Sequence, residues 1–267
     1  MTRVLTAIFG IPILIYLIKF APASVFTAAV LLAMLVSLYE YFLLTSERGS
    51  HKVSLPAYGL ASLVLLSFYF VHIQLQFFFP LGAALVLLVA LFSGLEPLQA
   101  LRAAALALLG VWYVGGLLGY LVGVRMIEAG GETGADLTLM LFVMIWSADT
   151  FAYVVGKTMG RHKLAAVSPN KTVEGAVAGF LFSIVAAFVC RAVFVSQLTV
   201  RDCVILGALT GVLGQVGDLC ESLLKRSANA KDSGSVIPGH GGMLDRLDSL
   251  LFGAPAMYYY FYLVLHK

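Results

Sequence analysis

Between Gly217 and Asp248 the sequence sets Asp218, Glu221, Ser222, Lys225 and Arg226, then Lys231 and Asp232, then the run Pro238-Gly239-His240-Gly241-Gly242, and at once Asp245, Arg246 and Asp248. Five of the fourteen acidic residues and four of the seventeen basic ones fall in this segment. Carboxylate oxygens are hard ligands that suit Mg²⁺, while Lys and Arg suit phosphate. Asp218, Asp245 and Asp248, brought together, make a site for a divalent cation carrying a nucleoside triphosphate. Pro and three Gly oppose a helix over 238–242 and permit a turn or close approach of backbone to a ligand.

A second group lies upstream. At 100° per residue Asp149, Tyr153, Gly156 and Gly160 share one helical face, with Lys157 at its edge. The loop Arg161-His162-Lys163 follows, and then Ser168-Pro169-Asn170-Lys171-Thr172. Ser at an N-cap with Pro at the first helical position predicts a helix start there, with Lys171 in its first turn as a phosphate seat. Gly156-Lys157-Thr158 ends like a phosphate-binding P-loop, but the earlier position that must be Gly is Phe151, which excludes that motif. Cys190, Cys203 and Cys220 lie in or beside apolar sequence without metal-site spacing.

The elements that hold these groups are membrane helices. Of 267 residues, 61% are hydrophobic and 12% charged; mean hydropathy is +0.96. Stretches long enough to cross a bilayer as helices recur at 4–20, 24–44, 55–72, 77–95, 103–124, 137–157, 173–194, 203–224 and 249–265. The sequence thus predicts an all-α polytopic integral membrane protein of about nine transmembrane helices. Ala21-Pro22-Ala23 is similar to a leader cleavage site, but Lys19, the Pro and the immediate return to apolar sequence predict a retained first helix.

Nine spans put the termini on opposite sides. The N-terminus and the even-numbered loops hold twelve basic residues and the other side five. That asymmetry predicts a cytoplasmic N-terminus, an external C-terminus and a cytoplasm-facing polar site. It also accounts for the net charge of +3 without a nucleic-acid partner.

Residues 1–130 form a transmembrane scaffold with little chemistry, and 131–267 a catalytic half. Gly115, Gly119 and Gly123 repeat at four-residue spacing, suited to close helix packing. Glu40 is the exception in the scaffold. A carboxylate within a span costs about 2.5–3.5 kcal/mol on insertion scales, which fits either a structural hydrogen-bond partner or remote support of the site. In the span over 203–224, Gly207, Gly211, Gly214, Asp218, Glu221, Ser222 and Lys225 fall within an arc of about 100°. Small residues pack inside the membrane, and the polar ones emerge on the same face.

The stretch from Ser222 to Asp248, with Lys225, Arg226, Lys231, Asp232, Gly234, Ile237, Pro238, His240, Gly241, Gly242, Asp245 and Arg246 at fixed positions, closely resembles the signature of phosphatidate cytidylyltransferases, or CDP-diacylglycerol synthases. Ser168-Pro169-Asn170-Lys171-Thr172-x-Glu174-Gly175 is similar to a second segment of that family. The resemblance implies attack of phosphatidic acid on the α-phosphorus of CTP, with pyrophosphate leaving. It further implies Mg²⁺ with a second cation such as K⁺, and a homodimer in the bacterial inner membrane. Carried onto this sequence, Asp218 and Asp245 hold metal, with Asp248 and Asp149 as further ligands. Lys171, Lys225, Arg226 and Arg246 hold phosphates; Ser168 and His240 lie near the nucleotide; Ser222 and Lys231 belong to substrate binding. A CTP-dependent lipid (polyprenol) kinase and an ion-coupled transporter are the alternatives. A transporter calls for broken helices near the midplane, whereas these acids cluster at one membrane face.

Overall fold

The computed structural model describes residues 2–46, 49–70, 78–129, 132–234, 236 and 241–265. Its helices are α1 (Thr2–Lys19), α2 (Ala23–Thr45), α3 (His51–Ser67), α4 (Phe78–Leu91), α5 (Pro97–Gly110), α6 (Leu117–Arg125), α7 (Gly134–Met159), α8 (Val173–Val193), α9 (Val200–Ser227) and α10 (Leu244–Tyr260). A π-helical turn, Val111–Gly116, joins α5 to α6, and another, Phe261–Leu265, ends α10. Among the described residues, five helices are long and apolar enough to cross a membrane: α2, the joined Pro97–Arg125, α7, α8 and α9. Shorter apolar helices cover Gly10–Lys19 and Pro80–Leu91.

Lipid and protein faces separate by residue size. On α8, Val177, Leu181, Val185, Val189 and Val193 form an exposed stripe at four-residue spacing, while Ala178, Gly179, Ser183, Ala186, Ala187 and Cys190 are buried. Small residues let helices approach where lipid supplies no hydrophobic drive between them. Gly207 and Gly211 bring α9 onto α8: a Cβ at Gly207 would stand 2.5 Å from the Ile184 Cα. The repeat at Gly115, Gly119 and Gly123 packs within the chain, against Ala61 and Phe68 and then Phe68 with Tyr258. One core runs from Ile18 through Phe261 and includes both halves of the sequence.

Two small antiparallel hairpins interrupt the all-helical plan: β1 (Glu128–Ala129) with β2 (Glu132–Thr133), and β3 (Lys163–Ala165) with β4 (Ser168–Thr172). The second corrects the expected helix start at Ser168. Thr172 caps α8 instead, its side-chain oxygen accepting the Gly175 N–H at 3.2 Å. Glu174, in the first turn, accepts the backbone N–H groups of Arg161 (3.1 Å) and His162 (3.3 Å) and meets the His162 ring at 2.6 Å. Once that carboxylate fastens 161–162 beside α8, residues 163–165 lie alongside 168–172 and pair with them. Lys171 therefore stands on a strand just before the helix.

Candidate active site

The site forms where α9 and α10 run antiparallel. Gly217 permits the closest approach, since a Cβ there would run into the Asp248 carbonyl oxygen. One turn farther along α9 comes Glu221, then Lys225; Asp245 and Asp248 are i,i+3 neighbours on α10 and share a face. Carboxylate oxygens of Asp218, Glu221 and Asp248 lie within 4.8 Å of one another. Glu221 is fully buried. The Lys225 ammonium pairs with Oε2 at 2.5 Å. The buried Tyr113 hydroxyl, on the π-helical turn, has no partner among the described residues. Three hard carboxylates this close, one of them fully buried, fit a divalent cation.

Asp245 does not join that group. Its Oδ1 accepts from the Lys225 ammonium at 2.6 Å. Its Oδ2 accepts from the Ser233 N–H at 3.0 Å, the Ser233 hydroxyl at 2.9 Å and the Gly242 N–H at 2.8 Å. In the antiparallel register Asp245 comes level with Lys225, whereas Asp248, one turn deeper, comes level with Glu221 and Asp218. Lys225 consequently bridges Glu221 and Asp245, and Asp245 braces the loop before α10. Gly241 takes φ +81°, the left-handed region that Gly occupies freely, and passes close to the Asp245 carboxylate.

The β3–β4 hairpin covers this assembly. Lys171 on β4 forms an ion pair with Asp218. Arg226, at the end of α9, donates to the Val167 carbonyl at 3.3 Å and the Ala230 carbonyl at 3.1 Å, tying the hairpin turn to the helix end. Ser168 is half-buried on β4 and Ser222 buried on α9, while Lys231 and Arg246 are exposed. His240 lies outside the described residues.

Asp149 is exposed on α7 and, with Thr150 and Arg246, gives polar lining to a cavity of about 870 Å³. The remaining wall is mostly apolar: Leu14 of α1, Phe26 and Ala33 of α2, Leu118 of α6, Phe142 and Trp146 of α7, and Leu247 of α10. Of the groups weighed from the sequence, the structure gathers Lys171, Asp218, Lys225, Asp245 and Asp248. It adds Glu221 as a third carboxylate beside Asp218 and Asp248, and Ser233 as the partner of Asp245. Glu221 was legible, lying on the same arc between Asp218 and Lys225; Ser233 carried no spacing signal.

The family model for the cytidylyltransferase family matches residues 1–264. This chain belongs to the cytidylyltransferase family. Among curated relatives, a phosphatidate cytidylyltransferase of Synechocystis sp. is 33% identical over 286 residues, covering 98% of this chain and 97% of that protein. One of Bacillus subtilis is 33% identical over 267 residues, 96% of each chain. One of Staphylococcus haemolyticus is 38% identical over 155 residues, 58% of this chain and 57% of its own. Membership of the cytidylyltransferase family accords with carboxylates and lysines gathered around one point.

Proposed function

We propose that this chain is the integral membrane enzyme that joins CTP to phosphatidic acid, giving CDP-diacylglycerol and pyrophosphate for phospholipid synthesis. The observation that carries the reading is the meeting of two environments. The carboxylate group of Asp218, Glu221 and Asp248 with Lys171 and Lys225 suits a triphosphate, and the cavity lined by Asp149 and Arg246 suits a lipid with an anionic head. A cavity of about 870 Å³ is within the usual size of ligand sites.

In the reaction an oxygen of the phosphatidate phosphate bonds to the α-phosphorus of CTP, and the bond from that phosphorus to the bridging oxygen of pyrophosphate breaks. The attacking phosphate is already anionic, so no general base is needed. Two anions must be brought together, and charge grows on the leaving group. Lys171 and Lys225 stand ready to neutralise it, each held by a carboxylate in the resting protein and released toward phosphate as substrate enters. Arg226 is oriented by two backbone carbonyls, leaving guanidinium N–H groups for phosphate. Arg246, at the cavity wall, faces the lipid head. Asp218, Glu221 and Asp248 would hold Mg²⁺, which when bound supplies charge neutralisation to the triphosphate; K⁺ is the candidate second cation, and Asp149 a further carboxylate for it.

The reading includes about nine crossings, an N-terminus inside, an external C-terminus and a cytoplasmic site in the bacterial inner membrane, with two copies of the chain associating. The basic asymmetry and the apolar helices among the described residues support the topology. Purified protein given CTP, phosphatidic acid and Mg²⁺ should release pyrophosphate and form a CDP-lipid in equal amounts. Formation of CDP and a lipid phosphate from a lipid alcohol would assign the kinase reaction instead, and release of neither product would refute nucleotide chemistry.

A further inference from the structure

Glu40 lies near the end of the apolar helix α2, fully buried, and makes no ion pair among the described residues. Its partners are backbone and hydroxyl groups some two hundred residues away. Oε1 accepts the Met243 N–H at 3.0 Å, and Oε2 accepts the Leu244 N–H at 2.8 Å and the Ser233 hydroxyl at 3.2 Å. Met243 is the N-cap of α10 and has no side-chain oxygen to serve its own helix. The cap that other helices take from a preceding Ser, Thr or Asp is here supplied by a carboxylate from α2, placed where the helix dipole favours negative charge.

The surrounding loop is shaped to this carboxylate. A Cβ at Gly234 would stand 2.6 Å from Oε1, and one at Gly242 2.6 Å from Oε2. A side chain at 234 would meet Glu40, and one at 242 would meet the Ser233 hydroxyl first and then Glu40. Ser233 links Glu40 to the site: its hydroxyl carries one hydrogen and stands within reach of both Glu40 Oε2 and Asp245 Oδ2, while its oxygen meets the Asp245 N–H at 3.3 Å.

We propose that Glu40 is a positioning residue for cytidylyl transfer: it fixes where α10 begins, and so sets Asp245 level with Lys225 and Asp248 level with Asp218 and Glu221. It acts through the α10 backbone and touches no reacting group. The inference rests on the reading of Asp218, Glu221 and Asp248 as the cation-holding group.

Mn²⁺ is a suitable probe, its free concentration read by electron paramagnetic resonance in a titration of the purified full chain. Glu40→Gln keeps the size of the side chain but turns one acceptor into a donor facing a backbone N–H. Mn²⁺ affinity should fall by about 10–100-fold, the scale for losing a group that orients metal ligands. Glu40→Asp, which keeps the charge, should recover part of it, and excess Mg²⁺ should restore part of the turnover of Glu40→Gln. A folded Glu40→Gln protein that binds Mn²⁺ as tightly as the unsubstituted chain overturns the proposal. Should that variant not survive purification, Glu40→Asp carries the test alone: its side chain is one methylene shorter and cannot keep both backbone bonds at their present lengths, so Mn²⁺ affinity should still fall severalfold, and unchanged Mn²⁺ binding there overturns the proposal equally. An unsubstituted chain that binds Mn²⁺, loses it on substitution of Glu40, and yet forms no CDP-lipid would support the positioning role and refute the proposed reaction.

Discussion

Asp248→Asn should move stability and turnover in opposite directions. Asp218 is ion-paired with Lys171 and Glu221 with Lys225, while Asp248 has no ion pair among the described residues. In alkaline buffer, where all three carboxylates are ionised, two unit charges at the 4.8 Å limit of the group repel by about 3.5 kcal/mol at an effective dielectric constant of about 20. Asp248 enters two such pairs, about 7 kcal/mol in sum before screening. If a quarter survives, neutralising Asp248 stabilises the metal-free protein by about 1.7 kcal/mol, or roughly 3–7 °C in the unfolding midpoint. Turnover should fall on the order of 10²–10³-fold, as when one transition-state stabiliser is removed. The assay is thermal unfolding in detergent, with EDTA and with saturating Mg²⁺, beside pyrophosphate release. With EDTA the variant should unfold at the higher temperature; Mg²⁺ should raise the unsubstituted protein markedly and the variant little. A variant less stable in EDTA, or equal stabilisation of both by Mg²⁺, would refute the argument that these three carboxylates share a cation.

Asp218→Asn combined with Asp248→Asn should be little worse in turnover than either single variant, because both act through one group; multiplied losses count against it. Lys171→Ala should raise the KM for CTP while Lys171→Arg keeps part of the activity, the charge remaining in altered geometry; normal kinetics in the Ala variant would remove Lys171 from the nucleotide site. Ala33→Trp, which fills the wall of the large cavity, should raise the KM for long-chain phosphatidic acid about tenfold and leave the KM for CTP unchanged, measured with lipids of graded chain length. A reporter fused after Lys267 should be external and one inserted near Gly49 cytoplasmic; a cytoplasmic C-terminal reporter would change the number of crossings by one.

The helices were legible because an apolar run of this length has few other options in lipid. The stretch read as 24–44 is Ala23–Thr45, and that read as 173–194 is Val173–Val193. The arc on α9 also read correctly, since helical period alone puts Asp218, Glu221 and Lys225 on one face. What the sequence hid depends on contacts between distant segments. Ser168 and Pro169 carry the local signature of a helix start, but Glu174 holds 161–162 beside α8 and turns the segment into a strand. The sequence reading put Asp245 ahead of Asp248 as a ligand, whereas the register of α10 on α9 sets Asp248 beside Asp218 and Glu221. The Gly residues of the loop suggested approach to a ligand, whereas Gly234 makes room for Glu40 and Gly242 for Ser233 and Glu40 together.

The cap on α10 also has a consequence in time. Met243 follows Glu40 by 203 residues, so at roughly 5–20 residues per second of synthesis the carboxylate waits about 10–40 s before its donors leave the ribosome. Through that interval α2 carries an unsatisfied acid near the membrane surface while later helices insert around it. α10 closes the network, and the cation-holding group cannot assemble before α10 has been made.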